Sequence, residues 1–87
     1  MEYKGSLSST NDLNSIAIDS RYGLFYSQGI PQNAPSGLVS SGIVITYMVS
    51  ERGNPNVRLQ IIISQPGNIY YRIKYSADDS WYSWKTL

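Results

Sequence analysis

The chain has 87 residues, 15% of them charged, a formal net charge of +1, and neither cysteine nor histidine. That length bounds it to one domain over 1–87, and the missing residue types exclude disulfides, thiolate metal sites, cysteine nucleophiles and the usual general base near neutral pH. The small net charge gives no steering field for nucleic acid, and no apolar run approaches the length of a membrane span.

Residues 1–8 read as a flexible lead with no apolar signal-peptide core, so neither a signal peptide nor membrane insertion is expected. The polar stretch from Ser8 to Ile16 fits a short N-terminal helical turn capped by Ser9 or Thr10 with Asp12 in its first turn. It fits equally an ordered loop pinned by Leu13, Ile16 and Ile18. Tyr22 to Ser27 is a first short strand, with Leu24 and Tyr26 on one face and Phe25 on the other. The stretch from Gln28 to Ser41 carries Gly29, Pro31, Pro35 and Gly37, which exclude a helix or central strand. It is either a reader loop or a crossover between sheet edges.

From Gly42 the sequence alternates. Ile43, Ile45, Tyr47 and Val49 share one parity, as do Val57, Leu59, Ile61 and Ile63, and then Ile69, Tyr71, Ile73 and Tyr75. Period two predicts three strands joined by short turns, an antiparallel meander. Opposed residues in such a pair point to the same face, and a slip of one residue inverts every side chain. A five-residue Glu51–Pro55 loop sets Ile43, Ile45 and Tyr47 opposite Ile63, Ile61 and Leu59. A three-residue Pro66-Gly67-Asn68 loop, with Asn68 left-handed, then sets Ile63, Ile61 and Leu59 opposite Tyr71, Ile73 and Tyr75. These odd-numbered residues are the expected core wall. The even face is mixed. Val44, Met48 and Ile62 lie there beside Arg58, Tyr70, Arg72 and Lys74, and they are the candidate subunit contact, with the N-terminal segment covering the rest. A chain this small has little margin of buried surface, so a homo-oligomer is expected.

Ser76 to Ser80 reads as a turn and Trp81 to Leu87 as a last edge strand. Trp81 and Trp84, three apart, would face opposite sides of a regular strand. The whole predicts an all-β fold in which the meander, the first strand and the tail form a small sandwich or open barrel.

No chemistry assembles for catalysis. The acids Glu2, Asp12, Asp19, Glu51, Asp78 and Asp79 are scattered apart from the Asp78–Asp79 pair, which suits a turn. Serine has no histidine base, and Lys74 or Lys85 would have to be desolvated to serve. The chain therefore reads as non-enzymatic, with no cofactor and no metal. Exposed aromatic rings stack on the apolar faces of sugars, so Trp81, Tyr82, Trp84, Tyr70 and Arg72 are the candidate recognition residues for a cell-surface glycan. A carbohydrate-binding module acting alone is the nearest alternative. A small β-barrel binding single-stranded nucleic acid through Tyr70, Arg72, Lys74, Arg58 and Tyr82 ranks below it.

Several fragments occur in one order: Asp12-Leu13-Asn14, Gly23-Leu24-Phe25-Tyr26, Asn33-Ala34-Pro35-Ser36-Gly37, Ile69-Tyr70-Tyr71-Arg72, and Trp81-Tyr82-Ser83-Trp84-Lys85-Thr86-Leu87. In this the chain resembles the small knob module of phage tail fibres and contractile-bacteriocin (pyocin) fibres. The resemblance implies a structural or adhesion module of a phage or prophage tail, in an oligomeric apparatus with a trimer favoured. Its partners would be other tail or fibre proteins, and its role tail assembly or host cell-surface attachment. Its location would be the virion tail, or the cytoplasm of a lysogenic host before assembly.

Overall fold

The structure, a computed structural model, describes residues 2–15, 20–51, 54–76 and 80–87. Six strands form one open mixed sheet: β1 (Glu2–Ser6), β2 (Arg21–Phe25), β3 (Gly42–Glu51), β4 (Asn54–Ser64), β5 (Asn68–Tyr75) and β6 (Lys85–Thr86). They lie in chain order across the sheet. β1 runs parallel to β2 and every other neighbouring pair is antiparallel. The all-β class and the meander are as expected from the alternating β-branched and aromatic residues. Neither a second sheet nor closure into a barrel occurs among the described residues.

Residues 2–6, read from the sequence as part of a flexible lead, form β1, and Leu7 N–H beyond it donates to the Leu24 carbonyl at 2.7 Å. The expected helical turn is corrected, since none occurs among the described residues 8–15. Asp12 Oδ1 accepts the Asn14 N–H at 2.9 Å in a local turn, and Leu13 N–H donates to the Gln32 carbonyl at 3.1 Å rather than along a helix. Ile16, Ile18 and Asp19 lie outside the described residues, as do Ala77, Asp78 and Asp79.

Register follows the hydrophobic pattern. Ile43, Ile45 and Tyr47 pair with Ile63, Ile61 and Leu59. At the first turn Glu51 pairs with Asn54, and an irregularity between Val49 and Ser50 keeps the phase expected of a longer loop. From β4 to β5 the phase is again as expected, but the pairing is displaced by two residues: Ile63, Ile61 and Leu59 meet Ile69, Tyr71 and Ile73. The loop is Gln65-Pro66-Gly67, with a cis Gln65–Pro66 bond, and Gly67 rather than Asn68 takes the positive φ, 139°. Glycine carries no Cβ to clash there.

The largest correction concerns which face is covered. Val44 and Ile62 are 2% and 0% exposed, whereas Ile43 and Tyr47 are 41% and 51% exposed. The even-numbered side chains turn inward. There Phe25, Val44 and Ile62 pack with Leu13 and Leu38, and Leu7, Ile30, Ala34, Tyr70 and Trp84 complete the cluster. The cover is irregular chain, residues 8–15 and 28–41, joined by Gln32 N–H donating to the Asn11 carbonyl at 2.8 Å and by the Leu13–Gln32 bond. The long loop between β2 and β3 is thus a lid over the core. The odd-numbered wall of isoleucine, leucine, valine and tyrosine is left on the open side of the sheet.

Candidate functional site: an arginine held between two tryptophans

Thr46, Gln60 and Arg72 stand on one rung across β3, β4 and β5, all on the covered face. Three polar side chains under a lid cost desolvation unless each finds a partner. Gln60 Nε2 donates to the Leu13 carbonyl at 2.8 Å and to Thr46 Oγ1 at 3.3 Å, while Gln60 Oε1 accepts Arg72 Nε at 2.8 Å. Arg72 is 5% exposed. Its guanidinium carbon lies 4.3 Å from the Trp81 ring centre and 4.5 Å from that of Trp84, and Nη2 is buried with no hydrogen-bond partner among the described residues. The indole faces take the place of hydrogen-bond acceptors for that end of the cation. Burial pulls the Arg72 pKa down to about 10, and the Asp12 charge acts against that shift.

The tail is fixed by the lid. Trp84 Nε1 donates to the Asn33 carbonyl at 2.8 Å, and Asn33, at φ 63°, donates through Nδ2 to Asp12 Oδ1 at 2.6 Å. The Asp12 carboxyl is held below its ordinary range, first by the Asn33 amide, then by the Asn14 N–H and the Arg72 field. Trp81 and Trp84 therefore lie on the same side, against the alternation expected of a strand. Residues 81–84 are not in a strand; Lys85 and Thr86 pair with β5, and Tyr82 N–H donates to the Ile73 carbonyl at 3.1 Å.

Beside this stack is an open cleft of about 590 Å³, lined by Tyr70, Arg72, Trp81, Tyr82 and Trp84 together with Asn14, Asn33, Ala34, Pro35, Ser36, Ser80, Ser83 and Thr86. All five candidate recognition residues meet there. Aromatic surface with amides and hydroxyls at its margin is the chemistry that holds a sugar, and the volume suits a small ligand. Sequence reasoning missed Gln60, Asn33 and Asp12. Gln60 did leave a signal, a lone amide in the apolar run Leu59-Gln60-Ile61-Ile62-Ile63.

The candidate subunit contact is corrected. Val44 and Ile62 are consumed by the chain's own core, and Met48 is half-buried at the end of that face with its N–H donating to Ser20 Oγ at 3.0 Å. Nor do Arg58, Arg72 and Lys74 form one open basic stripe, because Arg72 is buried while Arg58 and Lys74 pair on a separate rung. No family model matches the chain, and neither a curated protein nor a solved structure matches it.

Proposed function

We propose that the chain is a non-enzymatic adhesion module of a phage or prophage tail or fibre, and that the Arg72–Trp81–Trp84 cleft contacts a cell-surface glycan. The observation that carries this reading is the convergence of Tyr70, Arg72, Trp81, Tyr82 and Trp84 on one cleft with an amide- and hydroxyl-bearing margin. Arg72 fixes the two indoles from behind, so the aromatic surface is preorganised and little ordering is lost when a ligand docks. The resemblance in the tail and in the strand before it supports the setting: a virion tail, or the host cytoplasm before assembly, with other tail or fibre proteins as partners.

A glycan array tests the reading. Binding is expected, and Trp81→Ala is expected to weaken it at least about tenfold with the far-UV spectrum unchanged, since Trp81 lies outside the core cluster. Silence of the folded wild type on the array and on host cells overturns it. A salt-dependent gel shift with single-stranded DNA would instead favour the nucleic-acid alternative.

A further inference from the structure

The sheet has two faces, and the described residues cover one. Between the Val49–Val57 rung and the Ile63–Ile69 rung, every side chain that β2 to β5 turn to the open side is aliphatic or tyrosine. Ile43 and Tyr47 are exposed there, while Ile45, Leu59, Ile61 and Tyr71 are half-buried. At its rim Tyr3 and Tyr22 lie 5.2 Å apart between ring centres, and Tyr75 meets Tyr82 at 6.3 Å. A continuous apolar face of this kind on a small chain marks an interaction surface.

We propose that this face is a two-fold interface with a second copy of the same chain, the two sheets packing face to face as a sandwich, in place of the trimer that the resemblance implies. Three observations select that occupant. The face presents no charge over its central strands, so it needs an equally uncharged counterpart, and this chain carries one. Strand spacings of about 4.8 Å and rises of about 3.3 Å give the four strands a footprint of roughly 500 Å². Two copies would then bury roughly 1,000 Å², the size at which a specific interface begins. The edges are closed to the alternative of strand addition, since β6 has two residues and β1 carries a positive-φ Gly5 and the Lys4–Glu2 ion pair at 3.2 Å. Domains bury a sheet between two layers, and a second copy supplies the layer this chain lacks on that side. The central strands of this face lie opposite the cleft and only Tyr82, at the rim, borders both, so the test through Tyr47 is independent of the glycan reading.

Light scattering on the full chain across roughly 1 mM to 1 µM tests it. A dimer dissociating within that range, or persisting through it, is expected. Tyr47→Lys and Ile61→Lys are expected to weaken self-association about a hundredfold or more, because each buries two unpaired charges across the two-fold. Tyr47 is exposed in the single chain, so its variant keeps the test valid if Ile61→Lys fails to fold. A monomer at every concentration, a trimer, or a dimer unaffected by a folded Tyr47→Lys overturns the proposal.

Discussion

Arg72 ties the sheet to the tail. Its Nε bonds Gln60, and its guanidinium lies between two indoles that belong to a tail with only two residues in the sheet. Arg72→Met keeps the stem but removes the bond and the cation, and is expected to cost about 2 kcal/mol in urea denaturation. Gln60→Leu strands Arg72 Nε and the Leu13 carbonyl, and should cost about 1–3 kcal/mol. In the double variant the losses should fall short of additive by about 1 kcal/mol or more, since each partner is unpaired only once. Strict additivity would show that the two side chains do not act as one network. Of this network the sequence marked Arg72, Trp81 and Trp84 as candidate recognition residues, with the two indoles expected on opposite sides of a strand. It did not show that the arginine is buried, because a cation inside a small core is decided by whether Gln60 and the indoles reach it in space.

Among the elements, the meander was readable because a period of two is a property of the strand backbone itself, and pairing Ile with Ile from β3 to β4 leaves few registers. The two-residue displacement between β4 and β5 was not readable. Both registers keep the same face, and the choice falls to which residue of the turn takes a positive φ. β1 escaped for another reason: Glu2-Tyr3-Lys4-Gly5-Ser6 has no apolar alternation, and its place depends on the edge that β2 offers. Its seat is tight. A Cβ at Gly23 would come 2.8 Å from the Gly5 carbonyl oxygen. Gly23→Ala is therefore expected to cost about 1–3 kcal/mol and to remove hydrogen-exchange protection from Glu2–Ser6 while sparing β3 to β5. Full protection of β1 in the variant would refute that contact as its anchor.

The whole molecule is a sheet under a lid of irregular chain, and the lid is joined by Asp12, Asn33 and Trp84. Asp12 is ionised more readily in the folded protein than its ordinary 3.8 allows. Its contribution is therefore present above about pH 3.8 and lost as pH falls through the lower folded value. Thermal melts from pH 7 to pH 2 should show the wild type losing stability faster below pH 3.8 than Asp12→Asn does. Parallel curves would mean that the bond to Asn33 does not hold the lid. At this scale the sequence by itself determined the four strands β2 to β5, their order along the meander and the division of their side chains into two faces, because alternation and turn chemistry are local. Only the tertiary structure decided which face is covered. A polar rung can go inside when Thr46, Gln60, Arg72, a backbone carbonyl and two indoles satisfy one another, and the path of the two covering segments, rather than the hydrophobicity of either face, sets where the lid lies.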